Sequence, residues 1–393
     1  MPVASLAPAP QRLGRAPRGL GPPRIWVAVL IVVHLGILCA VLVNEVTTSQ
    51  DLDRFFEIGS SVGRPYVSFQ VEHAPGTLTM FRVIARAAGD RWRFGVILVT
   101  LQALVDLVIA LSLARTFGWS AGLIYLALSV PLLSLFYTRV DLLPTAAATL
   151  AVTAHRRRRP ALSALALVCG VGFKLWPLPL AVLLFRRQEP LLRRRFAWPF
   201  AAGLAALGLA WIGVGGVRGI EEVLTFRGAT GWQLESLIGA VLAFWQRDTL
   251  RLESGAWRLG HMSPIATPLL LASATTAALW LAWTGGRDDD RIGAAWLASV
   301  TALLVFSPLL SPQFMAWLIP AAAIAWVEGD RQSGWLVGAA VILTAVFTDL
   351  YAAVTRGAYG AQALVVARNA LLVAALISCA RAIYQSAAPS RRQ

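Results

Sequence analysis

Asp51 and Asp53 lie a few residues beyond the end of a long apolar stretch at 25–46. A carboxylate held at a membrane interface and facing an enclosed cavity can act as general base on a hydroxyl. The competing reading of "QDLDRFFEIG" is the start of an interfacial amphipathic helix, whose dipole favours aspartate in its first turn. Glu72 and His73 are either a second acid–base pair or plain loop residues. Lys174 is the only lysine in the chain, and it sits inside the apolar run "GVGFKLWPLPLAVLLF" at 170–185. An ionisable residue at such a place is costly and therefore a functional candidate. Its alternatives are snorkelling to an interface or pairing with Asp106 or Asp141.

These residues must be positioned by membrane helices. The chain of 393 residues is 57% hydrophobic and 14% charged, with a mean hydropathy of +0.65, far outside soluble globular usage. Apolar stretches near the length of a bilayer crossing occur at 25–46, 94–116, 119–137, 196–214, 264–284, 291–308, 335–352 and 362–384, with shorter ones at 140–155 and 313–327. A formal charge of +15 invites a nucleic-acid partner, but the arginines gather in short clusters between spans, which argues against one. Cys39, Cys169 and Cys379 fall in apolar segments and form neither a disulfide framework nor a spaced metal site.

The clusters set an expected orientation, because Lys and Arg of short loops stay in the cytoplasm. Arg12, Arg15, Arg18 and Arg24 place the N-terminus there, and alternation puts Arg115, Arg156 to Arg159, Arg186 and Arg187, Arg193 to Arg195, Arg287 and Arg331 on the same side, with the C-terminal tail. The first apolar run is too long for a signal peptide and reads as a retained helix. Segment 161–185 has arginines at both ends and must enter and return. Gly170, Gly172, Pro177 and Pro179 supply its break, around Lys174. The expected organisation is a disordered basic tail at 1–24, a membrane domain at 25–384 with long outer loops at 47–93 and 215–263, and a short tail at 385–393. Loops of that length with acids, amides, aromatics and arginines are usually functional.

The first loop, "DLDRFFEIGSSVGRPYVSFQVEHAPGTL", resembles that of the GT-C membrane glycosyltransferases of family 87, the DUF2029 group. Further matches follow in order: "RVDLLPTAAATLAV" at 139–152, "GVGFKLWPLPLAVLL" at 170–184, "RGATGWQLESLIG" at 227–239 and "FSPLLSPQFMAWLIP" at 306–320. The chain departs from the pattern at Phe55, where tyrosine is usual, and at His73-Ala74, which replace Tyr-Pro.

The resemblance implies an all-α, polytopic GT-C-type fold, here with about ten full spans plus a broken hairpin. It also implies a polyprenyl-phosphate sugar donor, typically mannose, and a lipid or glycan acceptor on the extracytoplasmic face. The family's loop aspartate falls on Asp51, the expected base, with Asp53 beside it. Lys174 is then placed for the donor phosphate, shared with Arg139, Arg227 and Arg368, since guanidinium groups suit phosphate geometry. Substrate contacts are expected from Asp53, Glu72, His73, Asp141, Gln233, Glu235 and Gln313. Gln233 and Glu235 can bond sugar hydroxyls beside the ring face of Trp232, or cap the helix that follows. Ser311, Pro312 and Gln313 line the sugar pocket or form a tight turn. No GxGxxG or Walker loop is present, consistent with a lipid-linked donor and no nucleotide cofactor. The expected setting is a bacterial plasma membrane, because arginine replaces lysine almost throughout, as in a GC-rich genome. The rival function is a multispanning transporter or lipid flippase.

Overall fold

The computed structural model describes residues 24–225, 228–263, 265–287 and 289–387. Arg227 and most of both expected tails lie outside them. The fold is mostly helical. Among the described residues, seven helices are long and apolar enough to cross a membrane: Ile25–Thr48, Arg91–Phe117, Trp119–Tyr137, Pro190–Leu224, Ala266–Gly285, Arg331–Asp349 and Tyr359–Gln385. Three further apolar helices, Pro160–Phe173, Ile292–Val305 and Pro312–Val327, are shorter.

The short helices form the centre. Ile292–Val305 is apolar all round and nearly every residue is buried, as expected of a helix enclosed by others. It packs tightly on Ile319–Val327, since a Cβ at Gly293 would lie 2.2 Å from the amide nitrogen of Ala325. Large apolar side chains such as Trp26, Leu35, Leu104, Leu209 and Trp280 remain exposed on the outer helices, a surface suited to acyl chains.

Segment 161–185 is the expected hairpin. Helices Pro160–Phe173 and Leu178–Arg187 flank an extended break at Lys174, and Pro177 and Pro179 open the second helix, where a missing N–H costs nothing. Its two ends meet at one end of the bundle: Gln188 Nε2 lies 2.8 Å from His155 Nδ1, and Arg158 pairs with Glu189 at 3.3 Å. Arg156 joins the same end through Glu328 at 3.0 Å, and Arg187 donates to the Gly285 carbonyl at 2.7 Å.

Both expected loops contain regular structure beyond the amphipathic helix expected at Asp51 and the helix expected after Glu235. Within 47–93, Ser49 caps helix Gln50–Ser60. Helix Pro75–Ala88 ends on a left-handed Gly89, and Asp90 then caps Arg91–Phe117 by accepting from the Arg93 amide at 2.9 Å. The segment 215–263 begins as helix, because Pro190–Leu224 bends at Gly216 and continues. It then forms a three-stranded antiparallel sheet, Trp232–Gln233, Ala256–Leu259 and Arg251–Glu253. Ser254 and Gly255, both with positive φ, make the two-residue hairpin turn between the last two strands.

Candidate functional site

At the opposite end from the paired arginines, the turn before helix Leu142–Arg156 carries Arg139 and Asp141. Each takes one partner from a different part of the chain. Arg139 Nη1 forms an ion pair with Asp51 in the first turn of Gln50–Ser60. Asp141 accepts from Lys174 Nζ at 2.7 Å and from the Trp317 indole N–H at 2.8 Å. Asp141 is 1% exposed, and its position at the start of a helix favours the charge. Asp51 is more open, with 34% of its side chain exposed.

The hairpin tip is held by backbone contact as well. A Cβ at Gly76 would lie 2.5 Å from the Gly172 carbonyl oxygen, so only glycine allows helix Pro75–Ala88 to cross there. Next to it, Thr77 Oγ1 donates to the Phe173 carbonyl at 2.9 Å. Beyond the break, Trp176 stacks on Trp317 with ring centroids 5.3 Å apart, and Trp317 stacks on Phe314 at 4.2 Å. The Lys174 ammonium lies 5.0 Å from the Phe314 centroid and 5.3 Å from that of Trp317. The cation thus stands over an aromatic wall that contributes to holding it.

Arg54 closes the first-loop side with two bonds to Glu72, at 2.9 and 2.6 Å. His73 is enclosed by the rings of Phe55 and Phe81, and among the described residues its Nε2 has no hydrogen-bond partner. Burial pushes the imidazole down to about 4, with Lys174 and Arg54 adding to the effect against Glu72 and Asp141, so the ring is neutral. Tyr66, in a left-handed conformation, donates to the His73 carbonyl at 2.6 Å and fixes this corner.

The second loop is latched to the turn preceding Trp317. Gln233 donates from its amide to Ser311 Oγ at 2.9 Å and accepts from the Leu310 amide at 2.9 Å. Glu235 faces away, accepting from the Tyr351 hydroxyl at 2.5 Å while its carbonyl takes Arg368 at 2.9 Å. Burial raises the Glu235 carboxyl above the usual range. The capping role considered for Gln233 and Glu235 belongs to Ser236, whose hydroxyl accepts from the Gly239 amide at 3.0 Å.

Of the expected residues, Asp51, Arg139, Asp141, Lys174, Glu72 and His73 converge on one region. Gln233 reaches it through Ser311, adjacent to Pro312 and Gln313. Asp53 turns aside to an exposed ion pair with Arg91, and Asp51 and Asp53 do occupy the first turn of an amphipathic helix. Arg368 is buried on the Glu235 carbonyl, and Arg227 lies outside the described residues. Trp317, Phe314, Arg54 and Thr77 were missed. The first two lie in "SPQFMAW", where their aromatic character alone signals only core.

Residues 73–312 match the model of glycosyltransferase family 87. The match covers more than half of the chain, and the chain belongs to that family, which makes it a membrane glycosyltransferase rather than a transporter or flippase. No curated protein matches it.

Proposed function

We propose that this family 87 membrane glycosyltransferase takes a sugar, mannose in the first instance, from a polyprenyl-phosphate donor and transfers it to a lipid or glycan acceptor on the extracytoplasmic face of a bacterial plasma membrane. Both termini then lie in the cytoplasm with the paired arginines. One observation carries the reading: Arg139 and Asp141, two residues apart, bring Asp51 and Lys174 to the same turn.

Depth supports a lipid-linked donor. Helix Pro160–Phe173 has 14 residues. At 1.5 Å per residue it spans roughly 20 Å, against a hydrocarbon thickness of about 30 Å. Measured from the basic end, the hairpin tip stops short of the far surface. A phosphate carried on an isoprenoid chain reaches that depth by lying in the lipid itself.

Asp51 accepts the proton of the acceptor hydroxyl as its oxygen attacks the anomeric carbon. The bond from that carbon to the phosphate oxygen breaks on the opposite side, with inversion, and the electron pair leaves with the lipid phosphate. Lys174 uses one of three ammonium donors on Asp141 and keeps others for that phosphate. Arg139 orients Asp51 through Nη1, and its buried Nε has no partner among the described residues. Gln313, half-buried beside Ser311, supplies an amide group to a sugar. Transfer from radiolabelled polyprenyl-phosphate mannose in membranes tests the reading. Transfer from a nucleotide sugar, with none from any polyprenyl-phosphate hexose, overturns it.

A further inference from the structure

A cleft of about 600 Å³ opens at the basic end, between the first turn of helix Pro160–Phe173 and the second and third turns of helix Pro190–Leu224. Arg159, Arg194 and Arg195 line it, with Pro160, Leu162 and Trp198. Several neighbouring arginines have protein partners: Arg156 with Glu328, Arg158 with Glu189, Arg187 with the Gly285 carbonyl and Arg193 with the Gln188 carbonyl. Among the described residues, Arg159, Arg194 and Arg195 make no ion pair, and it is chiefly their apolar stems that face the cleft.

The remainder of the lining is apolar and faces outward. Leu162 is 51% and Trp198 74% exposed, on helices whose outer faces also carry Leu165, Leu191 and Leu209. Tryptophan at such a level is a common interfacial anchor, with its ring in the headgroup zone. The Pro160–Phe173 helix has no side-chain cap at its start, so backbone N–H groups also point towards this end.

We propose that the cleft binds one anionic phospholipid, its phosphate held by Arg159, Arg194 and Arg195 and its acyl chains lying over Leu162 and Trp198. Three unpaired cations match a negative headgroup, and the apolar lower wall matches the chains. Zwitterionic lipid carries a compensating ammonium and loses that match. The site is separate from the hairpin tip, which lies at the other end of Pro160–Phe173, and it does not depend on the proposed donor. By joining the hairpin to the neighbouring long helix, a bound lipid braces the scaffold that carries Lys174.

The test is native mass spectrometry of the full chain in neutral detergent, titrated with phosphatidylglycerol, phosphatidylcholine or polyprenyl phosphate. Phosphatidylglycerol should bind in preference to phosphatidylcholine. If each arginine near a headgroup contributes about fivefold, R159Q/R194Q/R195Q should weaken phosphatidylglycerol binding by about a hundredfold, and R194Q or R195Q alone by about fivefold. The single variants keep the test open should the triple variant fail to fold. R115Q/R157Q/R287Q removes the same charge elsewhere at this end and should bind as the parent does. Equal binding of phosphatidylcholine, equal loss in the control variant, or a preference for polyprenyl phosphate that R159Q/R194Q/R195Q abolishes would each overturn the assignment.

Discussion

Lys174 Nζ lies 2.7 Å from Asp141 Oδ1, joining the tip of the helical hairpin to the start of the helix before it. Asp141 is almost fully enclosed, and Trp317 donates to the same oxygen. The pair therefore has two consequences for substitution. Removing one partner of a buried pair leaves an uncompensated charge, at a cost of about 3–5 kcal/mol. Lys174→Met should accordingly lower thermal stability, and Asp141→Asn added to it should recover much of the loss. Donor KM should stay raised in the double variant, since the ammonium proposed to hold the phosphate is then gone. Recovery of both stability and donor KM would reduce Lys174 to an architectural residue.

Asp51→Asn keeps the shape of the side chain and removes the proposed base. General-base catalysis contributes about a hundredfold to ten-thousandfold. Transfer should fall within that range while donor binding and expression persist. Asp53→Asn loses only an exposed pair with Arg91 and should retain most activity. A dead Asp53 variant beside an active Asp51 variant would exchange the two assignments.

His73 gives a pH signature. Its folded pKa, about 4, lies below the ordinary value of 6.5, so the unfolded chain binds more protons between them. Stability from burying the neutral ring is complete above about 6.5 and falls as pH drops towards 4, by about 3 kcal/mol in full. Glu328 works the other way, because burial raises its carboxyl to about 7. The informative quantity is the difference between parent and His73→Gln: thermal melts from pH 7.5 to 5 should show the variant losing less stability on acidification. Parallel melting curves would place His73 outside this balance.

Cysteine labelling checks the orientation. In a background with Cys39, Cys169 and Cys379 replaced by alanine, Val62→Cys and Asp248→Cys should react with an impermeant maleimide on intact cells. Arg157→Cys should react only after permeabilisation. All three positions are exposed in the fold. Labelling of Arg157→Cys in intact cells would invert the topology.

Glycine at position 76 is set by contact rather than by conformation. Gly76→Ala should displace helix Pro75–Ala88 from the hairpin and lower both stability and transfer, because the Gly172 backbone cannot yield as a flexible side chain can. Unchanged activity would mean that the crossing relaxes freely.

Composition and the placement of arginines determined that the chain is a polytopic helical membrane protein, because lipid demands long apolar helices and short basic loops retain their charge on one side. They also marked the hairpin of 161–185, since twin basic ends cannot flank a single crossing and the Gly-Pro cluster breaks a helix. Its lone lysine stood out for the cost of a charge among apolar residues. Tertiary structure decided the partners. Arg139 meets Asp51, and Lys174 meets Asp141 rather than Asp106, only because separate helices end at the same turn. Asp106 instead accepts from Tyr125 at 2.6 Å and contacts His34 at 2.9 Å. The sheet in the second long segment was hidden as well, because strands of two to four residues are too short to show a period. Hydrophobic periodicity reports which face of an element is buried. Which buried charges face each other depends on how the helices cross, and that is set by contacts distant in sequence, such as Gly76 against Gly172.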